Sequence, residues 1–429
     1  MRRTKFFSAC SASSALIVAM LAPSTAAAQA RLTLVPSASV GSVYDDNLFA
    51  KAIGSADQMT LITPGLEVSY ETPAKMLLGS YSFDMQRSID HPSLNNLQAR
   101  RHAMLDSRFE LTPRLTFGFG GRYDRTDTAG ELNYFTGLLI DRRRAERWEA
   151  GPSFSYKATP RVTFSGLYNW ISESVASSVG GYEQVARLGV TRQTGPRSTF
   201  GVGFLGRRFA SADETLVPID VFATEVGGVF TSSDGFALAK GGTFLSEAAL
   251  VTWTYQVAPA TMLLLQGGPR YTSARGDVVP EIVVSLGRKA PTIVNYGFEF
   301  WRGESIILGV LGPVEVNSGT ARVTWPIRPN FELGVHGGLF NSQTLSQGHA
   351  RVYHTEVVSS WTVKGPLTIA ASYGADFQHG DVRSSLLSDK EVVRHVLQVR
   401  LTAAPRVTRS FQPDDPLQPL GEPSKGAKR

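Results

Sequence analysis

The sequence predicts an all-β protein: a transmembrane, up-and-down antiparallel β-barrel of about 18 strands, within a range of about 16 to 20. Three observations carry this. Apolar and polar residues alternate with period two over unusually long stretches. Aromatic residues sit near the ends of the apolar rows. Short turns containing proline recur along the chain.

The alternation is clearest at Leu115, Phe117, Phe119, Gly121 and Tyr123, with Thr116, Gly118, Gly120 and Arg122 between them. It recurs from Trp148 to Tyr156, from Phe331 to Leu339, from Leu367 to Phe377, and at His395, Leu397, Val399 and Leu401. Side chains of a strand point to opposite faces in turn, so this pattern gives one apolar and one polar face. The stretches run about 10 to 14 residues. A tilted strand needs ~9–11 residues to cross a bilayer, whereas soluble strands average ~5–6. Length therefore favours a membrane barrel over a soluble sandwich. Tyr123, Trp148, Tyr156, Tyr168, Trp170, Trp253, Tyr255 and Trp361 fit the aromatic girdles of such barrels.

The turns are Thr72-Pro73-Ala74, Thr112-Pro113-Arg114, Thr159-Pro160-Arg161, Gly195-Pro196-Arg197, Ala258-Pro259-Ala260, Ala290-Pro291-Thr292, Arg328-Pro329-Asn330 and Gly365-Pro366-Leu367. Proline fixes φ and lacks an N–H, so it belongs in turns and not in ladders. Their spacing is mostly 32 to 47 residues, enough for two strands and one longer loop. Asp127–Arg144, Ser172–Tyr182 and Asn341–Ala350 read as such loops. Eight turns with a first and a last strand predict about 18 strands, with short turns and both termini at one end. The interval from Pro196 to Pro259 is 63 residues. It holds either a ninth turn at Ser232-Ser233-Asp234-Gly235 or a long loop.

The first 30 residues read as a signal peptide: basic Arg2, Arg3 and Lys5, an apolar stretch Ala15–Ala22, and the small-x-small site Ala28-Gln29-Ala30. The barrel is expected over 31–404. Residues 405–429, with five prolines and little apolar content, read as a disordered periplasmic tail. Removing the three N-terminal cations from the net charge of +6 leaves about +3, and no basic cluster interleaves with aromatics. Nucleic-acid binding is therefore not expected. The only cysteine, Cys10, lies in the signal, which leaves no disulfide or thiolate site.

No phosphate loop, paired-histidine zinc motif or Gly-x-Ser-x-Gly elbow occurs, and the seven histidines are scattered. No enzyme and no cofactor are expected. Asp45-Asp46-Asn47 could hold a hard cation, though an Asx-rich turn is the simpler reading. Charge on a lipid face costs roughly 2–4 kcal/mol per Arg or Lys at the midplane. Arg108, Arg122, Asp124, Glu149, Lys157, Glu332, Glu356, Asp376, Arg394 and Arg400, all on polar faces, are thus expected to face the lumen. Asp84, Asp106 and Glu110 share that expectation. Such groups either pair across strands or set selectivity for a polar solute. Arg142-Arg143-Arg144 is expected in an outside loop, where it could touch lipopolysaccharide phosphates, although a solvated charge run is the more usual reading.

Pro36–Phe49 (PSASVGSVYDDNLF) and the hairpins Leu111–Phe117 and Thr159–Phe164 resemble outer-membrane barrels associated with exopolysaccharide gene clusters, the β-barrel porin 2 type. The resemblance implies a porin-like channel for polar solutes or secreted polysaccharide. Its implied partners are outer-membrane lipid and lipopolysaccharide, the barrel assembly machinery and polysaccharide export proteins. The alternative is a structural barrel that anchors an envelope complex. Outer-membrane barrels commonly end on an aromatic residue, so the long tail suggests an internal assembly strand at Val392–Thr402.

Overall fold

The computed structural model describes residues 30–128, 132, 136–140, 142–176, 180–211, 215–226, 229–239, 242–290, 294–307, 313–344, 348–382 and 391–411. Residues 1–29 of the signal segment and residues 412–429 lie outside the described residues.

The strands are β1 (Ala30–Asp45), β2 (Asp57–Glu71), β3 (Lys75–Ser88), β4 (Asn96–Thr112), β5 (Leu115–Thr126), β6 (Ala145–Thr159), β7 (Val162–Val175), β8 (Gly181–Gly195), β9 (Ser198–Ser211), β10 (Thr215–Val226), β11 (Val229–Ala239), β12 (Thr243–Ala258), β13 (Thr261–Thr272), β14 (Asp277–Arg288), β15 (Asn295–Ser305), β16 (Val314–Arg328), β17 (Phe331–Gln343), β18 (His349–Lys364), β19 (Leu367–Asp381), β20 (Glu391–Ala403) and β21 (Val407–Phe411). Each barrel strand pairs antiparallel with its neighbours in sequence, β9 pairs with β12, and β20 pairs with β1. The result is a closed barrel of 18 strands. Closure leaves no unpaired edge, as a spanning sheet requires.

The interval from Pro196 to Pro259 holds no ninth barrel turn. β10 and β11 pair only with each other, and Ser232–Gly235 lie within β11. β7 and β8 leave only residues 176–180 between them, and β17 and β18 only 344–348. The wall thus extends into both predicted loops. At the seam, β1 pairs with β20 over Ala38–Asp45 and with β21 over Ala30–Leu34. The barrel therefore runs past the expected boundary at 404. A residue such as Val407 beyond Pro405 can rejoin the ladder because its N–H is free to pair.

Thr-Pro turns have a local cause. The side-chain oxygens of Thr72, Thr112 and Thr159 accept hydrogen bonds from the N–H groups of Lys75 (2.9 Å), Leu115 (3.0 Å) and Val162 (3.0 Å). Threonine and proline together fix the reversal. Gly365 opens its turn at φ +54°, a conformation other residues resist. The turn at Ala290-Pro291-Thr292 lies partly outside the described residues, but its strands pair as Arg288↔Tyr296.

Cross-strand partners share a face, which assigns inside and outside. Val40, Ile62, Leu66, Val251, Val335, Val357 and Leu401 are exposed on one face. All eight aromatic residues of the expected girdle share it, with the ring of Tyr123 tilted against its partner Trp148 at 4.2 Å. Charges bridge non-adjacent strands on the other face, as Arg207 of β9 does to Glu281 of β14. Only a concave surface brings such side chains together. The polar face is the lumen, and the apolar face is the surface a barrel presents to lipid.

The seam carries one buried ion pair. Arg394 donates Nε and Nη2 to Asp45 at 3.0 and 2.6 Å, and Asp45 is fully buried. Arg394→Ala should lower stability by about 3 kcal/mol, because it leaves a buried carboxylate without its cation. The midpoint of the heat-induced band shift of the folded barrel measures this. An unchanged midpoint counts against the seam's dependence on this pair.

Candidate functional site

The lumen is not an open tube. The described residues of the β5–β6 loop turn inward. Leu132 and Ile140 pack on Ala145 and Val175 of the near wall. Leu138 reaches a cluster with Val314, Val316, Ala350 and Val352. β16, which supplies the two valines, stands nine strands from β5 in a ring of 18, on the opposite side. Leu139 packs against Ala50 and Val392, and its N–H donates to Gln378 Oε1 at 2.7 Å. Gly137 permits the crossing. Its φ is +58°, and a Cβ there would lie 2.9 Å from the ring of Phe340. The loop is therefore seated on both walls.

The β15–β16 end helps to fill the same mouth. β14 and β15 pair only between Ile282↔Arg302 and Arg288↔Tyr296, while β15 and β16 stay paired to Ser305↔Val314. Beyond Arg302 this hairpin leaves the β14 wall. Glu304 then accepts from Thr272 at 2.6 Å, across to β13.

Under this lid the wall carries paired charge. Arg147 bonds Glu173. Arg207 makes two hydrogen bonds to Glu281, at 2.7 and 3.1 Å, and Glu281 also accepts from the fully buried Arg270 at 2.9 Å. His102 and Arg122 both meet Asp124. Charges this deep persist only when paired. Sequence reading did not single out Arg147, Glu173, Arg207, Arg270 or Glu281. Their signal was available, since each falls on the lumen parity of its strand.

A cavity of about 230 Å³ remains between the loop and the wall of β18–β20 and β1–β4. Its lining includes Arg100, Arg142 and Arg394, with Asp45, Glu356 and Asp376 facing them, and His354. Asp376 meets His354 at 2.6 Å, and Glu356 meets His336 at 3.5 Å.

The other residues singled out in the sequence are placed as follows. Glu149 accepts from Asn169 at 2.6 Å, on the lumen side. Arg108 pairs with Glu110 at 3.2 Å near the short turns. Lys157, Glu332 and Arg400 take lumen positions opposite Thr163, Ser360 and Gly41. Asp84 accepts from Thr63 at 2.7 Å. Asp106 stands opposite Gly120. Lumen residues are buried towards the long loops and exposed towards the short turns, where Lys157 and Glu332 are open to solvent.

One expectation changes. Arg142 does not point out towards lipopolysaccharide: it donates to Gln86 of β3 at 3.0 Å and lines the cavity, while Arg144 pairs with Asp127 at 3.2 Å. Leucines 138 and 139 drag this end of the loop inward. Asp45-Asp46-Asn47 behaves as a turn. Asp45 holds Arg394, Asp46 accepts from the N–H of His395 at 2.6 Å, and Asn47 donates to Lys51 O and Val393 O. No cluster of three or more metal-ligating side chains forms among the described residues.

No protein-family model matches the chain, and no curated protein matches it either. Solved structures do. A mutant of the ferric enterobactin receptor PfeA from Pseudomonas aeruginosa superposes with a TM-score of 0.44 at 9% identity, over 88% of this chain and 81% of that one. OccK11 (OpdR) from the same organism gives 0.42 at 10% identity, over 88% and 96%. The outer membrane protein OpdK from that organism gives 0.42 at 10%, over 89% and 99%. At these values the likeness says nothing about ligand or activity. The barrel stands on this chain's own strand pairing.

Proposed function

We propose that this chain is an outer-membrane channel for small polar solutes, narrowed at its long-loop end by the β5–β6 loop. The observation that carries this is the cavity beside that loop, walled by three arginines and three carboxylates. At about 230 Å³ it is smaller than the ~300–1,000 Å³ typical of pockets for drug-sized ligands. Mixed charge solvates a small polar solute without binding any one species tightly, and conduction needs such weak binding. Passage of a secreted polysaccharide, which the resemblance implies, requires Leu138 and Leu139 to leave their seats. Export of the chain by a cleaved signal, contact with lipopolysaccharide and insertion by the barrel assembly machinery belong to this reading. Docking of envelope partners at the tail belongs to the alternative, a closed barrel that anchors a complex.

The purified full chain should give conductance steps in a planar bilayer. A folded protein that never conducts would favour a closed barrel that anchors an envelope complex. Arg142→Glu should move the reversal potential in a KCl gradient towards the potassium potential, because the cavity then carries an excess of carboxylates. An unmoved potential places the solute path elsewhere.

A further inference from the structure

A separate group of side chains converges where β2 and β3 meet the long-loop mouth. The register Met59↔Ser88 brings the β1–β2 loop beside the β3–β4 loop. Asp57 opens β2 and is fully buried. Its carboxylate accepts from Ser88 Oγ and from the N–H of Asp90 at 3.1 Å. It also lies 3.2 Å from His91 Nδ1. A carboxylate already accepting two donors keeps the acceptor role, which assigns the imidazole proton to Nδ1. The lone pair of Nε2 then faces Ser55 Oγ at 3.3 Å. The ring is held further by Phe49, edge-on at 5.2 Å, and by the bond from the His91 N–H to Ser88 Oγ at 2.9 Å.

We propose that Ser55, His91 and Asp57 form a nucleophilic triad that cleaves carboxylic esters with an apolar acyl chain, the class found in membrane lipids, at the long-loop mouth of the barrel. A serine on Nε2 and a buried carboxylate on Nδ1 is the arrangement that turns a hydroxyl into a nucleophile. Ser55 is only half-buried and the His91 side chain keeps 27% exposure, so substrate can reach both. The chain-length assignment rests on Ile53 and Ile89. Each stands two residues before a reacting group, and they are 87% and 60% exposed.

In the reaction Ser55 Oγ bonds to the acyl carbon while His91 Nε2 takes the hydroxyl proton. The ester C–O bond breaks, and His91 returns that proton to the departing alkoxide. Water then attacks the acyl-Ser55 with its proton passing to His91. The acid leaves, and the proton restores the Ser55 hydroxyl. Asp57 does not touch substrate. It positions His91 and stabilises the imidazolium.

The test uses the purified full chain in detergent with a fluorophosphonate probe, p-nitrophenyl octanoate and p-nitrophenyl acetate, and phospholipid vesicles. The expected result is a phosphonyl adduct mapped to Ser55, faster turnover of octanoate than acetate, and fatty acid release from vesicles. Ser55→Ala should abolish the adduct. His91→Asn should slow octanoate hydrolysis on the order of a hundredfold or more. Asp57→Asn should lower kcat with KM near its original value. Ser55 contributes one side-chain hydrogen bond, so Ser55→Ala keeps the heat-modifiable barrel and serves as the folding control. Absence of an adduct at Ser55, or hydrolysis unchanged in Ser55→Ala, overturns the triad. Acetate turned over as fast as octanoate, or intact vesicle lipid, overturns the assignment of an apolar acyl chain.

Discussion

Leu138→Asp should open the lumen. Leu138 is 1% exposed among Val314, Val316, Ala350 and Val352. An aspartate there has no cation in the cluster, and an unpaired buried carboxylate costs far more than a loop seat supplies. The β5–β6 loop should then leave the far wall and take Leu139 with it, because Leu139 shares the same short segment and its N–H bond to Gln378. Single-channel conductance should rise several-fold, and liposome swelling should begin to admit sugars that the parent excludes. Leu138→Ala tests the energetics separately. It removes about 2–5 kcal/mol of packing without adding charge, so the loop should flicker and not depart. The barrel itself should survive both changes, since its strand pairing does not pass through Leu138. Conductance in Leu138→Asp equal to the parent's would show that the loop does not gate the path.

Glu281→Ala should be the most destabilising single change in the wall. It removes the one carboxylate that takes two hydrogen bonds from Arg207 and one from Arg270. Two guanidinium groups then face each other under a lid, and Arg270 is fully buried. Breaking a buried pair this way costs about 3–5 kcal/mol, because the surviving charge keeps its desolvation penalty. Urea or thermal unfolding in detergent should show a lower midpoint. Glu281→Leu combined with Arg270→Met should recover much of the loss, since Arg207 still has Glu183 at 3.9 Å. Additive losses in that double-mutant cycle would remove the network from the account of stability.

Much of the wall was legible in the sequence. Phe117, Phe119 and Tyr123 betray an outer face by period two alone, and the Thr-Pro turns fix the count because threonine and proline each act locally. The placement of loops was not legible. Arg142 and Arg144 look alike in sequence, yet one reaches Gln86 in the lumen and the other Asp127. What separates them is where Leu138 and Leu139 are buried, a tertiary fact. The apolar run from Leu138 to Ile140 inside a loop was the available clue. The Ser55–His91 contact was further from reach. It joins residues 36 apart through the β2–β3 register, and no spacing rule marks it.

The seam has a kinetic consequence. Nearly every other pairing in the barrel joins strands adjacent in sequence, so it can zip as a local hairpin. Asp45 and Arg394 are 349 residues apart. Loop-closure entropy rises by about 0.6 kcal/mol per doubling of length, so joining these ends costs about 3 kcal/mol more than closing a hairpin. Ring closure is therefore the slow, late event of assembly. Until it occurs, β1 and β20 present two open edges, and any factor that shields those edges sets the yield of closed barrels.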